Sequence, residues 1–575
     1  MFEKILIANR SEVAARIART CKRLGVTTVA IHTDADADAV HVQACDEAVR
    51  LDATDLASSY LSVSAIVAAA QRAGADAVHP GYGLAANDVA LARAVIAAGM
   101  TFIGPSPEVI ELAADRARVR ALCAKAEVRA VAGMSDPIDT LRAAYQATEA
   151  LGYPVVVKPL VPRDAMGVCF ADADDELEEA FEGARAAGRE LSGDARVVIE
   201  RAIERPRVVE IEVLADAGAE AEGAAEAEAE SATESATASA TAAESAAASA
   251  TAAESAAATE SGPASESESA TESATAAESA SATAAESATA PDSATQPRFD
   301  SAIVSTAVPR SLRLTSEETP PPGISAAAET AARAAAERGA AEIVAIGDRE
   351  CSVQRKLRRI VSESPAAAVN GLPNGDFVRE ALNEAAVRIV RAARVVGSAT
   401  VRFLLDADGR YHALGLAVGL SVDHALHEMC TGLDLVEMQI RIAAGESMPA
   451  EVLAASTTGH AMEAHLAWDV QGAAPEGELT ELRFPPVPAG KARIETGLAQ
   501  GTRVVPGYDA LVAKVTAFGP TRHQAALALD RVIAETIVAP FTTNAPLVRR
   551  VLGHEAFRAG QYDATFVERM IQQRI

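Results

Sequence analysis

The side chains best suited to chemistry in this 575-residue chain gather late, in "YHALGLAVGLSVDHALHEM" at 411–429 and the cysteine just after it. Asp423, His424, His427 and Cys430 are of the types that hold metal ions, and positions 424, 427 and 430 recur every three residues. On an α-helix that spacing drifts by about 60° per step, so the three share only a broad face. A metal site needs donors that converge, whereas buried histidines satisfied by hydrogen bonds explain the same residues. The spacing is therefore read as structural. Between Arg402 and His427 there is no Glu at all. The turn "HPGYG" at 79–83 offers His79 and Tyr82, which packing explains equally well.

The elements that must position these residues alternate. "KILIA", "SEVAARIARTCKRLG", "TTVAIHT", "SVSAIVAAAQRAG" and "ADAVHPGYG" read as βαβ units around a parallel sheet. The first βα turn, "IANRSEVAAR", lacks the G-x-G-x-x-G that lets a pyrophosphate approach, so no dinucleotide site is expected there. Helical pattern runs from Pro107 to about Glu149, and "GYPVVVKPL" opens a strand-rich segment ending in "VVEIEVLAD". "AEIVAIGDRECSVQR" is expected to pair with that last strand. A helix around 376–396, the strand "ATVRFLL" and a helix through "GLDLVEMQIRIAAGE" follow.

Between the two paired strands the composition changes. Residues 217–297 are almost wholly Ala, Ser, Thr, Glu and Gly, with fifteen acidic residues and no Lys or Arg. Nothing there builds a core, so a long disordered insertion is expected, with a helix over 325–338 before folded pattern resumes. The insertion supplies much of the formal charge of −28 and leaves a mildly acidic remainder. That balance disfavours nucleic acid and anionic membrane surfaces as partners. With 49% hydrophobic but only 3% aromatic residues, the core must be built from Ala, Val, Leu and Ile. Six cysteines without CxxC spacing suit free thiols in a reducing compartment. No signal-peptide pattern and no apolar run of about 18 residues is present, so a cytoplasmic protein is expected.

Ten ordered segments carry a family resemblance, among them "KILIANRSEVAARIARTCKRLG", "GADAVHPGYG", "FIGPSPEVI", "RECSVQR", "TGLDLVEMQIRIAAGE", "VVPGYDALVAKV" and "FRAGQYDATFVER". They resemble the biotin carboxylase subunit of acyl-CoA carboxylases, an ATP-grasp ligase. The resemblance implies an α/β chain of three parts: a Rossmann-like N-terminal domain (1–115), an ATP-grasp domain (116–457) interrupted by the insertion at 217–339, and a mixed α/β C-terminal domain (458–575). Family enzymes use MgATP to activate bicarbonate and carboxylate biotin. No segment resembles the biotin-bearing "MKM" motif, so biotin is not expected on this chain. An active form would take it from a separate carrier.

By that resemblance the nucleotide is met by Lys158 and Glu200, with Arg116, Arg201, Gln354, Arg355 and Arg359 around it. Asp423 stands where the general base does, and Arg493 where an arginine faces biotin. Other positions depart from the family. Its two metal-ligating glutamates fall on Arg402 and Gly415, the neighbouring Asn on Ala417, the bicarbonate-binding Arg on Gly419 and a Gln on Ser421. Two histidines become Val208 and Leu357, and the glycine loop after Lys158 becomes "KPLVPRDAMG", where Pro162 has no N–H and Val161, Arg163 and Asp164 obstruct close approach. The expectation is a catalytically degenerate homologue serving as a structural or regulatory subunit of a carboxylase assembly, as a homodimer or with carboxylase subunits. ATP remains a candidate ligand, and Mg²⁺ held in the family manner does not. The rivals are a nucleotide sensor without turnover and an active ligase with relocated metal ligands. The cations Arg116, Lys158, Arg201, Arg355, Arg359, Arg402 and Arg493 are expected either to converge on an anion in a cleft that has lost its acids, or to pair with nearby acids.

Overall fold

Buried β-branched strands and capped amphipathic helices set up the first layer. In the computed structural model, which describes residues 1–52, 56–83, 85–161, 166–218, 341–468, 475–504 and 511–573, all of these fall in one unit, Met1–Glu220 with Asp300–Ile575. Strands β1 (Lys4–Ile7), β2 (Thr27–His32), β3 (Glu47–Arg50), β4 (Ala77–His79) and β5 (Thr101–Phe102) form a parallel sheet in the order β3-β2-β1-β4-β5. The helix Ser11–Leu24 ends at Gly25, whose φ of 74° needs a residue without Cβ strain. The helix Val63–Ala73 is capped by the Ser62 hydroxyl and likewise ends at a left-handed glycine, Gly74.

A small antiparallel sheet comes next: β6 (Val155–Pro159), β7 (Cys169–Ala171) and β8 (Val197–Arg201), ordered β7-β6-β8. Helices Leu141–Leu151 and Leu177–Ser192 bury Ala144, Ala147, Leu177, Phe181 and Ala184 against it. The remaining layer is an eight-stranded sheet. Its strands are β9 (Arg207–Ala215), β10 (Ile343–Arg355), β11 (Arg358–Ser364), β12 (Gly397–Leu405), β13 (Tyr411–Val418), β14 (His460–Ala467), β17 (Ala492–Glu495) and β19 (Leu511–Gly519). Their order is β13-β12-β9-β10-β11-β14-β19-β17. Two short ladders, β15 (Gly477–Glu478) with β18 (Arg503–Val504) and β16 (Glu481–Arg483) with β20 (Ile537–Ala539), flank it. The helix expected around 376–396 spans Gly375–Ala393, and the one through "GLDLVEMQIRIAAGE" spans Leu435–Ala443. Both pack apolar faces onto this sheet.

The pairing expected across the acidic insertion is present. Strands β9 and β10 run antiparallel with Ala215 opposite Ile343, and Asp216 N–H donates to the Glu342 carbonyl at 3.1 Å. The Asp216 carboxylate then accepts from the N–H groups of Gly218, Glu342 and Met448. One aspartate thus closes the hairpin where the insertion leaves and re-enters. The expected insertion beyond Gly218 and the helix at 325–338 lie outside the described residues, as do Pro162, Arg163 and Asp164.

Because both ends are tied by this clamp, replacing residues 219–340 with a short Gly-containing turn is expected to leave the fold intact. Closure cost changes only slowly with the length of a connection. A melting temperature at or above that of the full chain checks this, and Asp216→Ala in the shortened chain should cost about 1–3 kcal/mol through its orphaned N–H groups.

Candidate functional site

Four cross-strand neighbours form a straight row over the large sheet. Gly415 on β13 stands opposite Arg402 on β12, Arg402 opposite Glu210 on β9, and Glu210 opposite Arg349 on β10. Directly opposed residues on adjacent strands project from the same face, so Glu210 meets an arginine on either side. Arg402 Nε donates to Glu210 Oε1 at 2.8 Å, and Arg349 and Arg359 also bind this carboxylate. Glu210 has no solvent exposure. Burial pushes its carboxyl up, but Arg359, Arg349 and Arg402 outweigh that and hold it down at about 2.

Asp423 ends the turn after β13 and is equally buried. It pairs with Arg359, with Arg349 at 2.8 Å and with His465 Nε2 at 2.8 Å. Burial again opposes its ionisation, yet Arg349, Arg359 and His465 carry the carboxyl well below the ordinary aspartate range. His465, desolvated but facing Asp423 and Glu463, is raised to about 9 and is charged at neutral pH. A proton acceptor so firmly held in its ionised form by three cations is a poor general base.

Among the described residues, two groups bring metal-capable atoms within mutual reach: Glu210, Cys351 and Asp423, and Asp423, Glu463 and His465. Neither includes His424, His427 or Cys430. His424 faces the Ser421 carbonyl and Arg493, and Cys430 the Ser364 carbonyl. Both groups are already neutralised, since Arg349 and Arg359 bridge Glu210 and Asp423. Burial also keeps the Cys351 thiol protonated, its pKa pushed up to about 12, whereas a metal takes the thiolate. They are ion-pair networks.

The small sheet supplies the facing wall. Glu200 on β8 is paired by Lys158 on β6 and by Arg120 from the helix Arg116–Lys125. Arg116 opens that helix and donates from Nε to the Pro159 carbonyl at 3.0 Å. Burial favours the neutral form of Glu200, but Lys158 and Arg120 keep it ionised and its pKa low. Lys158 is also lowered, first by burial and further by Arg116 and Arg120, against the pull of Glu200. Residues 129–134 tie the walls together: Ala413 N–H donates to the Arg129 carbonyl and Val131 N–H to that of Ala413, while Arg201 N–H donates to Ala132 and Met134 N–H to Ile199.

The other expected site residues lie apart from these groups. Arg493 binds Glu428, Glu495 at 2.8 Å and the His424 ring at 3.0 Å. Glu428 and Glu495 also pair with Arg16 and Lys514. Arg201 is exposed and donates to the Leu151 carbonyl. Gln354 is half-buried opposite Arg359, and Arg355 is exposed opposite Arg358. Leu357 sits in the two-residue turn between β10 and β11 with φ 63°, and Val208 is buried with its N–H on Ser352.

Of the two expectations for these cations, pairing with nearby acids is the one the described residues show. Lys158, Arg359, Arg402 and Arg493 each pair with a carboxylate, because a buried guanidinium or ammonium without one is prohibitively costly. The residues that organise the site and escaped the sequence reading are Glu210, Arg349, Arg120, His465 and Glu463. One signal was available for Glu210 and Arg349: charged residues inside apolar strands, "VVEIEVL" and "IVAIGDREC".

Residues 1–110 match the family described as biotin carboxylase, N-terminal domain, and residues 469–569 the biotin carboxylase C-terminal domain. Residues 115–259 and 337–451 match the carbamoyl-phosphate synthase L chain, ATP binding domain. The chain belongs to the biotin carboxylase family. A biotin carboxylase of Halalkalibacterium halodurans is 28% identical over 99% of this chain and 97% of its own length. The propionyl-CoA carboxylase alpha chain of Ruegeria pomeroyi is 26% identical over 99% of this chain and 68% of its own. The biotin carboxylase domain dimer of Hydrogenobacter thermophilus 2-oxoglutarate carboxylase, solved with MgADP, ADP and bicarbonate, has a TM-score of 0.74 at 23% identity, covering 100% of this chain and 98% of that one. That likeness is one of fold. The biotin carboxylase architecture of N-terminal, ATP-grasp and C-terminal parts is the one expected. Among the described residues no helix is long and apolar enough to cross a membrane.

A divalent cation held in the manner of a biotin carboxylase does not fit here. The two positions that the resemblance assigns to its ligands are the facing pair Arg402 and Gly415. The first carries a positive charge committed to Glu210, and the second has no side chain. Hard cations need oxygen donors, and a guanidinium repels them.

Proposed function

We propose that this chain is a biotin carboxylase-family subunit that does not carry out MgATP-dependent carboxylation and serves a structural or regulatory role in an acyl-CoA carboxylase assembly. The observation that carries the reading is Arg402 directly opposite Gly415 with its guanidinium on Glu210. Forming carboxyphosphate brings bicarbonate and a γ-phosphate together, and metal-held charge neutralisation makes that possible. Here one ligand position repels a metal and the other offers nothing. Asp423, at the place of the general base, is held ionised by Arg349, Arg359 and His465. Arg493, at the place of the biotin-facing arginine, is engaged with Glu428 and Glu495.

Carboxylase subunits among relatives such as the propionyl-CoA carboxylase alpha chain suggest the kind of assembly, and the dimeric structural neighbour suggests self-association. The test is bicarbonate-dependent ADP release from the folded protein with MgATP and free biotin, against Lys158→Ala. Rates indistinguishable from the control are expected. Turnover abolished in the control would overturn the proposal and point to metal ligands elsewhere. Purification from the native cell should then bring down carboxyltransferase and biotin-carrier subunits.

A further inference from the structure

The small antiparallel sheet keeps a hydrophobic core of its own. Among the described residues, Ile138, Ala144, Phe181, Ala184 and Ile199 pack in a cluster that merges with no other. The neighbouring helix Arg116–Lys125 instead sends Val119, Leu122 and Cys123 into the core over the large sheet. Polar groups bond the two bodies: Arg120 binds Glu200, and Arg116 donates from its N–H and Nε to the Leu160 and Pro159 carbonyls. Bodies without a shared apolar core move against each other unless something else holds them.

The chain crosses between the two bodies twice. The first crossing, 128–134, is bonded on both sides, to Ala413 of β13 and to Ile199 and Arg201 of β8. The second, 202–206, leaves β8 after Arg201 and enters β9 at Arg207. On the small-sheet side Ala202 N–H donates to the Pro154 carbonyl at 2.9 Å. On the other side the hold comes from a stretch more than 350 residues on. Ala564 N–H donates to the Pro206 carbonyl at 2.9 Å, and Asp563 Oδ2 accepts from Arg205 Nε at 3.0 Å, the two 358 residues apart. Buried Asp563 is itself fixed by the Thr565 N–H and hydroxyl and by Arg569. Arg207 Nη1, next along, donates to the Gly560 carbonyl at 2.8 Å.

Arg205 has φ 47°, a left-handed conformation that is costly for a residue with a long side chain. The proline after it favours extended backbone at this position, which adds to the cost. Its side chain is otherwise in water, 71% exposed. The bonds to Asp563 and, through Pro206, to Ala564 offset that cost.

We infer that residues 560–569 are a strap on the 202–206 crossing, and that their hold on Arg205 and Pro206 sets how freely the small sheet moves against the large one. The small sheet carries Lys158 and Glu200, so the strap acts on one face of the candidate site from a distance. Loosening at either end is felt at the other. The inference stands apart from the proposed function, because it concerns movement and holds with or without carboxylation.

The test is amide hydrogen exchange of the full chain. The joint amides are those of Arg116, on the Leu160 carbonyl, and of Arg201 and Met134, at the first crossing. Arg205→Asn removes the ion pair with a residue that tolerates the left-handed conformation. It should raise exchange at the joint amides about two- to fivefold, the range expected for one partly exposed ion pair. The ladder amides within β6 and β8, and within β9 and β10, should keep parental rates, and the melting temperature should stay within a few degrees. Asp563→Asn should act in the same direction. Where it also releases the amides of the helix Phe566–Gln572, Arg205→Asn decides alone. Parental exchange at the joints in Arg205→Asn, or a rise shared by the ladder amides, which marks unfolding in place of movement, would overturn the inference.

Discussion

Replacing Glu210 with alanine should lower the unfolding free energy by about 3–5 kcal/mol, among the largest losses open to a single substitution in this chain. The reason lies in what is left behind. Glu210 has no exposed surface and is the counter-ion of Arg349, Arg359 and Arg402. Without it the fully buried Arg349 retains, among the described residues, Asp423 as its carboxylate partner, which Arg359 and His465 also claim. An uncompensated buried cation loses its hydration without gaining a partner. Arg402→Ala in the same row is expected to cost well under half as much, because its guanidinium is partly hydrated already. Urea denaturation of the two variants measures the contrast. Equal losses would mean that the row is not organised around Glu210.

Stability should fall on both sides of about pH 6.5, on the acid side from that value down because the unfolded chain protonates His41, His79 and His424, which burial holds down at about 4, 3 and 3 in the fold. On the acid side Glu210 and Glu363 are each depressed to about 2, against burial, by arginines and, for Glu363, His460 and Arg522. Their contribution is present above the unfolded glutamate value of about 4.3 and is lost as pH falls toward 2. Asp348 and Glu350, raised by burial, work in the opposite sense and soften this limb. On the alkaline side His465 is raised to about 9 by Asp423 and Glu463 despite its burial. Its contribution is complete below about 6.5 and is lost as pH climbs through 9, on the order of 3 kcal/mol in all. Urea midpoints measured from pH 3 to 9.5 should trace this dome. His465→Gln should flatten the alkaline limb while leaving the acid limb in place. An unchanged limb would show that the Asp423–His465 pair does not link folding to protons.

Legibility of the sequence followed the range of the interactions involved. Strands such as "KILIA" and "ATVRFLL", and the helices over 375–393 and 435–443, declare themselves through local periodicity, since each buries one face or one stripe. In the fold His424 faces the Ser421 carbonyl and Cys430 the Ser364 carbonyl, contacts that a helical spacing alone does not reveal. The ion-pair partners were hidden in the same way. Arg16 and Glu428 meet across 412 residues, and Arg349 and Glu210 across 139. No window of sequence contains both members of either pair.

The sequence by itself determined the family and the α/β layering, because these are matters of residue identity and short-range pattern. Tertiary structure decided where the charges go. It set Gly415, Arg402, Glu210 and Arg349 in one row across four strands, and it gave Lys158, Arg359, Arg402 and Arg493 acidic partners in place of a cleft cleared of them. The physical reason is desolvation: a charge that folding buries must find its counter-ion in space, and only strand order and register say which one lies within reach.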